Sequence, residues 1–407
     1  MVGADVAWML VATALVLLMT PGVAFFYGGM VSSRSAVSTK FQSFVCIGIV
    51  GLLWAVCGYS LVFSGDTNGL IGNLDQFMLR GVELTPSKNY ASTIPEVLYM
   101  LFQATFAIIT PALITGAVAE RIRFKAWLFI MPLWSLLVYV PIAHWVWGNG
   151  GWIAKMGGLD FAGGLVVHMS SGYAALVAAL TIGRRTNFDS PAPSFSAPMV
   201  LLGTAFLWFG WFGFNAGSAL AANTVAAQAF GTTMFAPCAA MVVWMICDWT
   251  VNGKPTAVGA AVGAVAGLVA ITPAAGYVTL QASILIGMIA AIGCHFAVRL
   301  VKDRLKTDDT VDVFACHGVG GTIGTILTAV FATKTVNAGG ADGLLYGGFT
   351  VLKANLAGAA VVIVYTLVMT FVVLKVVEFF MPLRVTQEEE ESGLDESQHG
   401  ERAFVFH

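Results

Sequence analysis

Apolar residues in this chain run in long stretches separated by short polar connections. Eleven such stretches cover 6–30, 41–63, 95–118, 126–146, 161–182, 197–219, 227–248, 258–275, 281–300, 312–331 and 345–380. A helix of about 20 residues crosses a hydrocarbon core of ~30 Å, and these stretches match that length. The pattern predicts an all-α polytopic membrane protein with eleven transmembrane helices. No basic region precedes the first stretch, and Met19, Pro21 and Gly22 make a poor cleavage site, so a retained helix is expected there. Composition changes abruptly after Pro382, which divides the chain into a transmembrane domain, 1–382, and a C-terminal tail, 383–407.

Lys and Arg are unevenly distributed among the connections. One alternate set holds twelve: Arg34, Lys40, Arg121, Arg123, Lys125, Arg184, Arg185, Lys254, Arg299, Lys302, Arg304 and Lys306. The other holds four: Arg80, Lys88, Lys155 and Lys334. The positive-inside rule then puts the first set in the cytoplasm, the N-terminus outside and the tail inside. Eleven helices divide naturally into two halves of five plus one peripheral helix. Five is odd, so the second half is expected to be inverted relative to the first, an arrangement that places a site near the midplane. TPGVAFFYGGM (20–30) and GWFGFNAGS (210–218) occupy corresponding places in the first and sixth helices. Their glycines also have a plainer reading, since small residues let membrane helices approach closely.

Composition supports the membrane assignment. The 407 residues are 58% hydrophobic and 10% charged, with a mean hydropathy of +0.83; soluble domains carry roughly a quarter charged residues. This excludes a soluble enzyme, a disordered chain and a nucleic-acid binder. The net charge of −2 carries no information about partners. The six Cys (46, 57, 238, 247, 294 and 316) all lie in apolar stretches without a CxxC pair, so they read as small core residues.

Polar residues inside such stretches are costly, which makes them functional candidates. His144, in PIAHWVWG, reads as interfacial and structural; His295 has no polar company in its stretch and reads the same way. His168 and His317 differ, because each follows an Asp (Asp160 and Asp312) in the matching fifth and tenth helices. Either Asp can simply cap its helix. Six His with no HxxH or HxxxH spacing, and no carboxylates beside the pair, argue against a metal, and no cofactor is expected. Neutral imidazole carries one donor and one acceptor, which suits passage of a small polar molecule.

Aromatic residues fall in layers. Phe102 and Phe106 lie one turn apart in the third helix, while Phe214 and Ser218 do so in the antiparallel sixth. Phe102 is thus level with Ser218, and Phe106 with Phe214 beneath, with Trp147 at the outer mouth. Ring faces plus a hydroxyl suit a small cation, and two stacked Phe below would block water and ions. Ordinary packing also accounts for such aromatics.

FQATFAIITPALITGAVAERIRF (102–124), DFAGGLVVHMSSGYAAL (160–176), GWFGFNAGSA (210–219), DVFACHGVGG (312–321) and GLDESQHGE (393–401) together resemble the ammonium transporters of the Amt/Mep/Rh family, bacterial Amt branch. The resemblance implies a homotrimer in the cell membrane with one pore per subunit, taking ammonium or methylammonium. It implies an outer ammonium site of Phe102, Trp147 and Ser218 supported by Asp160, a gate of Phe106 and Phe214, and pore histidines His168 and His317. Trp211, Tyr139 and Asp312 would be supporting positions. Bare ammonium in an apolar pore would cost tens of kcal/mol in the Born limit, so the resemblance implies deprotonation and passage of ammonia, with a proton following by way of the histidine pair. The tail would pack on the cytoplasmic surface, where a trimeric PII signalling protein binds some relatives. Glu388–Glu391 read as a solvated face. Two alternatives stay open: a Rh-like electroneutral channel for ammonia or carbon dioxide, and an ammonium sensor without net transport.

Overall fold

A computed structural model of the chain describes residues 1–87, 89–190 and 194–404; Lys88, counted above, lies outside them. Among the described residues ten helices are long and apolar enough to cross a membrane. They are α1 Gly3–Met30, α2 Ala36–Phe63, α3 Glu96–Val118, α4 Phe124–Lys155, α5 Gly164–Ile182, α6 Ala197–Gly217, α7 Thr224–Asn252, α9 Leu280–Arg304, α10 Phe314–Phe331 and α11 Thr350–Phe380. The helix between α7 and α9, α8 Ala257–Ile271, is apolar but has only 15 residues. It stops before Pro273, because proline disfavours helix in the residue preceding it. The chain continues unwound, with Ala274, Ala275 and Val278 fully buried. Irregular backbone is tolerated at membrane depth when protein surrounds it. The eleven-span pattern thus holds, with α8 about a turn shorter than the sequence suggested.

Packing follows the expected two halves. α1 runs along α6, and α5 along α10, so each pair joins equivalent members of the halves. Contacts of α1 with α2 and α3 are matched by those of α6 with α7 and α8, and α3 on α5 by α8 on α10. Small residues permit the α1–α6 approach: a Cβ on Gly29 would lie 2.8 Å from the Val200 nitrogen, and one on Gly203 2.7 Å from the Phe26 Cα. α3 and α5 are central, each 78% buried over its most apolar window, whereas α7 and α11 are 33% buried and form the periphery.

One end of the bundle carries the segment between α2 and α3, which includes a short antiparallel hairpin, β1 Pro86–Ser87 and β2 Ala91–Pro95. We call this the hairpin face. The opposite, tail face carries two short helices, α12 Gln387–Ser392 and α13 Leu394–His399. The Asp395 carboxylate accepts from the Val37 and Ser38 amides at 3.0 and 2.7 Å, so the tail caps α2. The glutamate run is not simply a solvated face. Glu390 pairs with Arg384 at 2.7 Å, and Glu389 closes a capping box with Thr386 and reaches Arg123 at 3.5 Å. Beneath the tail, Arg185 bridges Glu120 and Asp308 at 2.5 and 2.8 Å. His295 does have polar company: its Nε2 lies 3.2 Å from Asp248, a residue of α7.

Candidate functional site: an aromatic vestibule above a buried histidine pair

Two cavities lie in line through the bundle, with two Phe rings between them. The outer one, of about 290 Å³, opens toward the hairpin face and is walled by Tyr99, Gln103, Phe106, Phe161, Trp147 and Ser218. Trp147 ends the principal helical run of α4 and is fixed by its indole N–H, which donates to the Asp160 carbonyl at 3.0 Å. Ser218 follows the last turn of α6 and donates its hydroxyl proton to the Phe214 carbonyl at 2.9 Å. That bond leaves the Ser218 oxygen free to accept from a ligand in the cavity. Aromatic faces and a hydroxyl acceptor are a fitting environment for a small cation bearing N–H groups.

Phe102 does not line this cavity. It is buried behind Phe106, edge-on, with centroids 4.9 Å apart. The polar wall residue that the sequence reading missed is Gln103, on the same helix. Phe106 forms the floor of the outer cavity and Phe214 the roof of the inner one; their rings are tilted by 33° with centroids 4.2 Å apart. Two apolar rings thus separate the cavities.

Below lies an inner cavity of only about 10 Å³, walled mainly by apolar side chains with His168, His317 and Trp211 among them. The two imidazoles meet with Nδ1 atoms 3.2 Å apart. One Nδ1 must donate and the other accept, so the contact holds a single N–H between two facing nitrogens. His168 Nε2 is buried and has no protein partner. Trp211 stacks on His168 at 5.5 Å and donates its own N–H to Thr272 at 2.9 Å. Tyr139 lines neither cavity: its ring packs on Trp54 at 6.4 Å, in an aromatic cluster that reaches the outer cavity through Phe63 and Tyr99.

The histidines sit in π-helical turns, Gly164–Met169 in α5 and Phe314–Val319 in α10. Such turns recur at functional positions because the extra residue redirects side chains. Glycine makes the crossing of α5 and α10 possible, since a Cβ on Gly172 would lie 2.7 Å from the His317 carbonyl carbon. Asp160 starts α5 by accepting from the amides of Gly163, Gly164, Leu165 and Val166 at 2.9, 2.6, 2.8 and 3.3 Å. Its carboxylate therefore faces backbone, and its link to the vestibule is its carbonyl.

Asp312 does not play the matching role expected of it. Its backbone is left-handed, with φ 65°, and its carboxylate pairs with Lys302 at 2.7 Å. The capping residue of α10 is Asp309, which accepts from Val313 and Phe314 at 3.0 and 2.7 Å. Asp309 precedes His317 by the same eight residues that separate Asp160 from His168. Burial, reinforced by the neighbouring Asp312 charge, pushes the Asp309 carboxyl up to about 7.

A model of the Ammonium Transporter Family matches residues 7–404. An ammonium transporter of Bacillus subtilis (strain 168) is 49% identical over 400 residues, covering 98% of each chain. The crystal structure of Saccharomyces cerevisiae Mep2 superposes with a TM-score of 0.88 at 37% identity, covering 95% of this chain and 88% of that one. The structure of a sensor Amt protein superposes with a TM-score of 0.88 at 30% identity, covering 97% of this chain and 98% of that one.

Proposed function

The chain belongs to the ammonium transporter family and is a multi-pass membrane protein, and from that premise we propose that it carries ammonium across the membrane by binding the cation, deprotonating it and conducting ammonia. The observation that carries this reading is the order of elements along one line: a cation-suited cavity, a closed pair of Phe rings, then two bonded imidazoles in an apolar cavity.

Ammonium enters from the hairpin face, which the basic-residue count turns outward. Trp147 and Phe106 offer ring faces to it and the Ser218 oxygen accepts one of its hydrogens. Carrying the ion intact past the rings would cost tens of kcal/mol in the Born limit. The ion instead divides into ammonia and a proton. Ammonia passes Phe106 and Phe214 and travels along the imidazoles, which exchange donor and acceptor roles with it. The proton follows by way of the single shared N–H position of the pair, and the two recombine at the tail face. Potassium has no proton to release and is refused. The active form is a homotrimer, and the tail face accepts a PII-type regulator; both parts of the reading rest on the family resemblance.

The test is a solid-supported-membrane current after an ammonium pulse, on wild type and on His168→Ala/His317→Ala. Wild type gives a current that potassium does not, and the double variant loses the current or admits potassium. An unchanged, potassium-free current in the double variant refutes the mechanism. The likeness to a sensor Amt structure keeps a second reading, ammonium sensing, in view. Binding of methylammonium without uptake would select it.

A further inference from the structure

Outside the pore, one buried histidine meets an acceptor at each ring nitrogen. His144 is fully buried near the end of α4, three residues before Trp147. Its Nδ1 lies 2.6 Å from the Val62 carbonyl oxygen, and its Nε2 lies 3.1 Å from an Asp66 carboxylate oxygen. Both partners are acceptors, whereas a neutral imidazole has one N–H. Either the ring carries two protons or Asp66 carries one. Asp66 is already surrounded by donors: the same oxygen accepts from the Gly69 amide at 2.7 Å, and the other faces the Lys155 ammonium at 3.5 Å. The bond from His144, with that from Gly69 and the nearby lysine, holds the Asp66 carboxyl below the usual range.

We infer that His144 is an imidazolium locked onto Asp66, and that this ion pair is a latch that sets the position of Trp147 over the vestibule. The inference rests on the reading of Trp147 as a wall of the ammonium-recruiting cavity. The latch grips the chain on both sides of that tryptophan. Before it stands His144 itself, whose carbonyl accepts from the Gly148 amide at 2.9 Å. After it, residues 148–151 fold back so closely on Asp66 that a Cβ at Gly150, φ +103°, would lie 2.7 Å from the Asp66 Cβ. Lys155 then closes on the same carboxylate. Tyr90 adds a strut, donating to the Phe63 carbonyl and accepting from the Asn149 amide at 2.9 and 2.8 Å. The end of α2, the hairpin segment and the turn after Trp147 thus converge on one carboxylate. With the latch released, Trp147 keeps its indole bond to Asp160 and its edge contact with Phe106, but loses the grip on the turn that follows it.

Among the described residues, the titratable and charged groups around the ring are few. Asp66, from the segment after α2, faces the ring directly, and Lys155, from the end of α4 itself, faces Asp66; Tyr90 bonds the neighbouring backbone, and Asp160 at the start of α5 turns its carboxylate onto its own amides. A positioning residue of this kind acts on ligand binding more than on passage through the pore.

The experiment has two arms on the full-length protein in lipid vesicles. Ring-nitrogen ¹⁵N spectra at about pH 7, with His144 identified by its loss in His144→Gln, show both nitrogens protonated in wild type and a neutral ring in Asp66→Asn. Methylammonium uptake gives a KM raised about three- to tenfold in His144→Gln and Asp66→Asn, with the maximal rate within about twofold, and Asp66→Glu restores most of the wild-type KM. A neutral His144 ring in wild type, or a KM unmoved in both variants, overturns the latch. Should wild type bind methylammonium without transporting it, the transport reading fails alone: the spectra still decide the ion pair, and Kd takes the place of KM.

Discussion

Replacing Gly172 by Ala should disable the pore by separating its histidines. Gly172 follows His168 by one turn of α5, on the same face, where α10 crosses. The new methyl group would overlap the Gly318 nitrogen and Cα and stand 2.7 Å from the His317 carbonyl carbon, where ordinary contact begins at 3.4 Å. The obstacle is backbone and cannot swing aside, so the two helices must part by well over about 0.7 Å at that level. The Nδ1 atoms, now 3.2 Å apart, would then stand more than about 3.9 Å apart, outside hydrogen-bonding range. Overpacking of this kind costs ~1–3 kcal/mol of stability, which a membrane protein of this size survives. The ammonium-pulse current should fall at least about tenfold, an added barrier of about 1.4 kcal/mol or more. Gly48→Ala is the control, because a Cβ there meets nothing within 4 Å, and its current should equal wild type. A Gly172→Ala protein that folds, carries wild-type current and still refuses potassium would refute the claim that the imidazole contact is part of the path.

Three further outcomes follow from the bonding around the site. Asp160→Ala deprives four amides of their acceptor at the start of α5, each worth ~1–3 kcal/mol when left unsatisfied; uptake should be lost and thermal stability in detergent lowered, while Asp160→Asn, keeping one oxygen, loses less. Arg121 is fully buried and donates to the Gly183 and Asp308 carbonyls and to Thr310 at 2.7, 2.5 and 2.8 Å; burial pulls its guanidinium down to about 10, still charged at neutral pH. Arg121→Ala should therefore cost ~3–5 kcal/mol, read as a fall in apparent Tm. Asp309 has its folded value raised to about 7 against about 3.9 unfolded, so the folded state binds the extra proton and its contribution to stability is present below pH ~4 and lost as pH rises toward 7. Asp309→Asn should flatten that part of the stability profile measured in detergent; an unchanged slope would refute the assignment.

The spans were legible because bilayer thickness imposes a length on every apolar stretch, and nothing in the packing overrides it. α8 fell short because Pro273 stops it while the unwound chain beyond is equally apolar, so hydropathy alone continues past the break. Phe106, Phe214 and Ser218 could be placed by turn counting along two antiparallel helices, and Trp147 by its position at the end of the fourth; the structure puts Phe106, Trp147 and Ser218 around the outer cavity and Phe214 at the inner one. Phe102 could not, since spacing fixes height along a helix but not which of two neighbouring rings faces the cavity. The cap of α10 was misassigned because Asp312 stands next to the motif and Asp309 three residues before it; the eight-residue interval shared with Asp160 and His168 was the available signal. Asp66–His144 and Asp248–His295 join residues 78 and 47 positions apart, a relation created by packing alone.

The inner cavity, at about 10 Å³, is near the lower bound for holding even one water molecule. No continuous column of liquid fits beside the imidazoles, so a molecule passing them would do so singly and only with the surrounding side chains displaced. A bilayer crowded with copies of this protein would thereby gain no open path for water.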